Sequence, residues 1–119
     1  MKILVVDDSA TMRRIAIRAL AGMGYTDCVE AENGQVALDQ VAKGGIGLVI
    51  TDWNMPVMSG LEFVTELRTT NTTLPVLMVT TNASNQDVFQ ALGAGVTNYV
   101  VKPFTPETLK EKVLAILSE

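Results

Sequence analysis

The chain has 119 residues, a formal net charge of −4, a single cysteine and no histidine. That length makes one domain, residues 1–119, and the acidic balance lacks the basic footprint that binding to nucleic acid requires. Without histidine there is no Ser-His-Asp triad, no histidine-ligated metal and no phosphohistidine on this chain, and the lone Cys28, read as a small buried hydrophobe, can form no intrachain disulfide.

The elements alternate along the chain. Ile3-Leu4-Val5-Val6 is a short apolar run, read as the first strand, and it ends in Asp7-Asp8-Ser9. Asp8 or Ser9 is positioned to cap a helix carrying Met12, Ile15, Ala16, Ala19, Leu20 and Met23 at helical spacing, closed by Gly22 and Gly24. Residues 27–31 form a weaker second strand. Asn33-Gly34 opens a second helix with Ala37, Leu38, Val41 and Ala42 inward, and Gly44, Gly45 and Gly47 close it.

The third strand, Leu48-Val49-Ile50-Thr51-Asp52, is apolar until its last residues, as befits a strand covered on both faces. Pro56 cannot continue a central strand, so Asp52 sits where the chain leaves the sheet. Ser59 caps a third helix with Leu61, Val64 and Leu67, and a polar loop runs from Thr69 to Thr73. Pro75 heads the fourth strand, Val76 to Val79, which runs into Thr80-Thr81-Asn82. Ser84 or Asn85 begins a fourth helix with Val88, Ala91 and Leu92, closed by Gly93 and Gly95. Asn98 to Val101 is the fifth strand, followed by Lys102-Pro103. Pro106 suits the first turn of a last helix with Leu109, Val113, Ile116 and Leu117 inward.

Strand then helix, five times over, with short connections, predicts an α/β fold: a single doubly wound (βα)5 domain around a five-stranded parallel sheet. No apolar run is long enough to span a membrane, and the start lacks the longer apolar region and cleavage site of a signal peptide. The expected location is the cytoplasm.

Parallel strands place their carboxyl ends on one edge, where open α/β sheets bind ligands. That edge collects Asp7 and Asp8, Asp52, Thr80 and Lys102. Each residue alone is an ordinary turn, cap or surface residue. Together they are three carboxylates, a hydroxyl and an ammonium. Clustered carboxylates repel, and one protonates unless a cation sits among them. Lys102 supplies one positive charge. The remaining ligands are hard oxygens, which suit Mg²⁺, with Mn²⁺ as a substitute, rather than zinc. Such a site suits phosphoryl transfer, with Asp52 as an in-line nucleophile and Thr80 bonding a phosphoryl oxygen.

Ile3 to Ser9, Thr51 to Gly60, Thr80, and Tyr99 to Phe104 resemble the receiver domain of bacterial two-component response regulators. The resemblance covers the whole chain and is strongest to single-domain chemotaxis regulators of the CheY type. It implies a flavodoxin-like strand order 2-1-3-4-5. It implies Asp52 as phosphoacceptor, Asp7 and Asp8 as Mg²⁺ ligands directly or through water, and the backbone carbonyl of Asn54 completing the site. Lys102 matches the family lysine, and its bond to Pro103 matches one that is usually cis. Thr80 and Tyr99 match the switch pair. The output face is that of helix four, strand five and helix five, with Val88, Tyr99, Phe104 and Lys112 on or near it. Thr81 and Asn82 depart from the residues common in chemotaxis relatives, and with Asn54 they are expected to tune dephosphorylation.

The resemblance also implies a histidine kinase, similar to CheA, as phosphodonor. The implied target is a flagellar motor switch protein or another protein, and the expected state is a monomer. Open alternatives are a phosphorelay intermediate, a Mg²⁺-dependent phosphohydrolase acting through an aspartyl-phosphate, and a flavodoxin-like cofactor binder. The phosphohydrolase would want a second Asp two residues past the nucleophile, where this chain has Asn54. The cofactor binder would want a phosphate-friendly first loop, which Asp7-Asp8 would repel.

Overall fold

The computed structural model describes residues 1–118. Its elements are β1 (Lys2–Val6), α1 (Ala10–Gly22), β2 (Cys28–Ala31), α2 (Gly34–Ala42), β3 (Ile46–Asp52), α3 (Gly60–Leu67), β4 (Val76–Thr80), α4 (Asn85–Ala94), β5 (Asn98–Val101) and α5 (Pro106–Leu117). The strands pair in parallel in the order β2-β1-β3-β4-β5.

Strand periodicity divides the core in two. Leu4, Val6, Val49, Val76 and Met78 face one side, where Ala37, Phe63, Val64, Leu67 and Ala91 of α2, α3 and α4 cover them. Ile3, Val5, Leu48, Ile50, Leu77, Val79 and Val100 face the other, under Ala16 and Leu20 of α1 and Leu109, Val113 and Ile116 of α5. Both faces of the sheet are buried, which is why the strands read as unbroken apolar runs.

The helices begin where side-chain oxygens satisfy free backbone N–H groups. Ser9, not Asp8, caps α1 by accepting from the Met12 N–H, and Ser84, not Asn85, caps α4 by accepting from the Asp87 N–H. Asn33 and Thr105 cap α2 and α5. Ser59 and Glu62 form a reciprocal capping box on α3.

Several local expectations are corrected. Gly47 does not close α2. It lies inside β3, which begins at Ile46 and shifts register between Lys2 and Ile3, so the glycine falls at a bulge. Ala42 and Leu92 turn outward rather than into the core, and Cys28 is half-buried against the α1/α5 side.

The loop from β3 to α3 is tightly fitted. A Cβ at Gly60 would lie 1.9 Å from the Asp52 carbonyl oxygen, so only glycine lets α3 start against the end of β3. Within the same loop Val57 has φ of 70° and is 82% exposed. A β-branched residue in the left-handed region is strained, at about 1–2 kcal/mol, and exposure gives it little packing in return. Val57→Asn, which tolerates that region, is expected to stabilise the fold by about 1 kcal/mol and to raise the melting temperature by about 4 °C. An unchanged melting temperature would show that Val57 carries no strain.

Candidate functional site

The alternation of strand side chains assembles the site. Asp7 continues the Ile3-Val5 row, Asp52 the Leu48-Ile50 row and Lys102 the row of Val100, so all three fall on the α1/α5 side of the same sheet edge. Lys102 Nζ lies 3.1 Å from Asp7 Oδ2 and 3.3 Å from Asp52 Oδ2. Carboxylate oxygens of Asp7, Asp8 and Asp52 all lie within 4.8 Å of one another. Asp7 is buried and Asp8 exposed. The site therefore has a closed floor and an open mouth.

Beneath the carboxylates is a cavity of about 20 Å³, lined by Val5, Met12, Ile50, Val79, Lys102 and Phe104 among others. It is the size of one water molecule.

Hydrogen bonds orient the members. The Trp53 N–H donates to Asp52 Oδ1 at 2.7 Å, leaving Oδ2 toward Lys102. The Ser9 N–H donates to Asp7 Oδ1 at 2.9 Å. Lys102 is held through its backbone, whose N–H donates to the Thr80 carbonyl at 2.8 Å. The Lys102–Pro103 peptide is cis, matching the expectation.

Burial pushes the Asp52 carboxyl above its ordinary pKa; Lys102 pulls it back and Asp7 pushes it further up. Burial alone would lower the Lys102 pKa, but Asp52 and Asp7 outweigh it and hold the ammonium above its ordinary value. The lysine stays charged while the carboxylates remain under-neutralised. Hard oxygens clustered with excess negative charge fit a small divalent cation. Asp7, Asp8 and Asp52 are the residues that could hold it.

Thr80 is fully buried on the other side of the sheet, in the row of Val76 and Met78. Its Oγ1 accepts from the Asn82 N–H at 3.1 Å, so the hydroxyl is engaged with the loop rather than with the carboxylates. Tyr99 OH donates to the carbonyl of the same Asn82. The Asn54 amide donates to Asn82 Oδ1 at 3.2 Å, tying the loops after β3 and β4 together beside the site, while Thr81 is exposed next to them.

Phe104, expected on or near the face of α4, β5 and α5, is half-buried between β5 and α5. It packs against the α1/α5 core and lines the cavity. Sequence reading also missed Phe89, which is 80% exposed on α4, one turn before half-exposed Leu92. An apolar residue beside inward positions carries no signal that it points outward.

The family model of the response regulator receiver domain matches residues 3–114. The chain is a response regulator receiver domain. It is 49% identical to chemotaxis protein CheY1 of Helicobacter pylori (strain J99), over 98% of this chain and 97% of that protein. It is 50% identical to the chemotaxis protein CheY homolog of Campylobacter jejuni subsp. jejuni, over 98% of this chain and 92% of that one. The structure of chemotaxis response regulator CheY4 of Vibrio cholerae superimposes with a TM-score of 0.90 at 37% identity, covering 97% of each chain. The α/β fold is thus the one the sequence predicted, and the strand order the one the resemblance implied. Among the described residues, no helix is long and apolar enough to cross a membrane.

The raised Asp52 pKa has a definite sign for stability. Between the ordinary carboxylate value of 3.8 and the higher folded value, the folded state binds more protons than the unfolded state, so stability falls as pH rises through that window. Without divalent cations, Asp52→Asn is expected to melt higher than the parent at pH ~7, with the difference vanishing by pH ~3. A variant that melts lower at neutral pH would show that the Lys102 contact outweighs burial and repulsion.

Proposed function

We propose that this receiver is a phosphorylation-controlled signalling switch in which Asp52 accepts a phosphoryl group from a histidine kinase and output passes to a protein partner. The observation that carries this reading is the Lys102 ammonium bridging Asp7 and Asp52 within an acidic cluster. Asp52 attacks the phosphorus of a donor phosphohistidine. The new O–P bond forms as the P–N bond breaks, and the imidazole leaves with the electron pair and takes up a proton.

Asp7, Asp8, Asp52 and the Asn54 carbonyl are the proposed Mg²⁺ ligands, with Mn²⁺ as a substitute. The ion would supply neutralisation of charge on the phosphoryl oxygens. Lys102 orients the acceptor carboxylate and offers its ammonium to the incoming group. Asn54 and Asn82, tied to each other, and Thr81 beside them are placed to govern how water reaches the acyl-phosphate.

Asn82 also links the site to its output. Its N–H meets Thr80 and its carbonyl meets Tyr99, so a Thr80 hydroxyl drawn toward a phosphoryl oxygen disturbs the loop that leads into α4. The face of α4, β5 and α5 then presents Val88, Phe89, Leu92, Tyr99, Val101 and Lys112 to a partner. Because the relatives above are named chemotaxis proteins, we assign the output to chemotaxis; the family resemblance suggests a flagellar motor switch protein as target, a CheA-like kinase as donor, a monomeric state and a cytoplasmic location. The protein acts on its own aspartate and turns over no external substrate. Asn54 has no acid/base chemistry to offer a phosphohydrolase.

Incubation with a labelled phosphohistidine donor and Mg²⁺ is expected to label the parent at Asp52 and to leave Asp52→Asn unlabelled. Full labelling of the variant would move the acceptor elsewhere. Onward transfer of the label to a second histidine protein, without affinity for a motor-switch peptide, would make the chain a relay intermediate. Mg²⁺ at a hundredfold excess over its dissociation constant is expected to stabilise the fold by about 2.7 kcal/mol. A melt indifferent to Mg²⁺ and to chelator would remove the metal from this reading.

A further inference from the structure

Arg13 stands outside the acidic cluster but is bonded to the backbone that carries it. From the first turn of α1 its Nη1 donates to the Asp7 carbonyl oxygen at 2.6 Å, and its Nε pairs with Glu30 Oε1 on β2 at 2.8 Å. The Arg13 side chain is only 16% exposed, against 49% for Glu30. The guanidinium is thus a brace between the end of β1 and the neighbouring strand.

That brace acts where the sheet stops. The Asp7 N–H still bonds across to β2, donating to the Ala31 carbonyl at 3.0 Å. Beyond it the ladder ends, since β1 stops at Val6 and β2 at Ala31. The Asp7 carbonyl belongs to the peptide that links Asp7 to Asp8. Swinging that peptide would swing Asp8, which is exposed and must lie close to two other carboxylates that repel it. A charge-assisted bond to this carbonyl is the kind of restraint that resists the swing, because such bonds are stronger than neutral ones and the fork geometry of guanidinium serves two acceptors at once.

We propose that Arg13 is a positioning residue for the metal-binding acidic pair: by gripping the Asp7 carbonyl and bracing on Glu30, it fixes the Asp7–Asp8 peptide and so presents the Asp8 carboxylate to a divalent cation. The inference rests on the reading of Asp7, Asp8 and Asp52 as a Mg²⁺ site. It differs in sign from simple electrostatics. A positive charge near a cation site opposes binding, so removing it should tighten Mg²⁺ if charge were its only effect. A lost brace weakens binding, and groups that orient metal ligands from behind are commonly worth about 10–100-fold in affinity.

The test is calorimetric titration of Mg²⁺ into the parent, Arg13→Ala, Arg13→Lys and Arg14→Ala, with hydrogen exchange of the Asp8 amide followed in metal-free protein. Arg14 is exposed and makes only a long contact to the Ala10 carbonyl, so Arg14→Ala removes the same charge without the brace. Arg13→Ala and Arg13→Lys are each expected to bind Mg²⁺ about tenfold more weakly and to exchange the Asp8 amide faster, while Arg14→Ala binds as well as the parent or slightly better. Arg13→Lys keeps the charge and carries the test if Arg13→Ala does not fold. Unchanged or tighter binding in the Arg13 variants that fold would overturn the positioning role and leave the metal site intact. A parent that binds no Mg²⁺ would overturn the metal site and the positioning role with it.

Discussion

The structure turns on the Lys102 ammonium held between Asp7 and Asp52. Unit charges at about 4 Å interact by ~4 kcal/mol at the effective dielectric of a protein surface. The two attractions to Lys102 therefore offset the repulsion between the carboxylates they join, but not the further repulsion brought by Asp8. Three carboxylates and one ammonium leave two negative charges in excess. Burial first, and Asp7 after it, raise the Asp52 pKa against the pull of Lys102. A domain that keeps such a cluster tolerates instability in one corner, and the two apolar cores on either side of the sheet offset it.

Those cores also decide where the charges can go. Every core strand contributes to both faces, so its register cannot slip by one residue without turning a whole row of apolar side chains to the wrong side. Asp7, Asp52 and Lys102 lie on rows whose earlier members are Val5, Ile50 and Val100. Fixing the apolar rows thus fixes the polar ends. Gly60 completes the constraint by letting α3 start against the Asp52 carbonyl, where a larger residue would push the end of β3 aside.

The same constraint explains what the sequence could and could not reveal. Apolar runs ending in Asp, Thr or Lys are visible in one dimension, and parallel strands gather their ends by topology alone, so the acidic cluster and Lys102 are legible in the amino-acid sequence itself. That Phe104 lines the cavity was not legible, because a residue just past a strand has no periodicity to follow. Phe89 was overlooked because an apolar residue beside inward helix positions reads like one of them, although it is exposed. The Arg13 contacts 6 and 17 residues away in sequence, and the bond between Asn54 and Asn82 across 28, are encoded by no local pattern. The strain at Val57 was equally hidden, since nothing in Pro-Val-Met announces a positive φ.

The contacts around Asn82 also bound how sharply the proposed switch can act. Moving a two-state population from 1:99 to 99:1 requires about 5.5 kcal/mol of differential stabilisation. One hydrogen bond from Thr80 to a charged phosphoryl oxygen supplies about 1.5–3 kcal/mol. Lys102 already has two carboxylate partners before any phosphorylation, so exchanging one for a phosphoryl group adds only the difference between them. The Tyr99 bond to Asn82 opposes any loop movement that would break it. In the proposed switch the local chemistry falls short of a complete transition, and the remainder would come from a protein partner. By linkage, a partner that prefers the phosphorylated conformer stabilises that conformer by the same free energy that phosphorylation adds to its own affinity. The proposed switch would then be completed by its target, for which the exposed apolar Phe89 and Leu92 of α4 offer contact area.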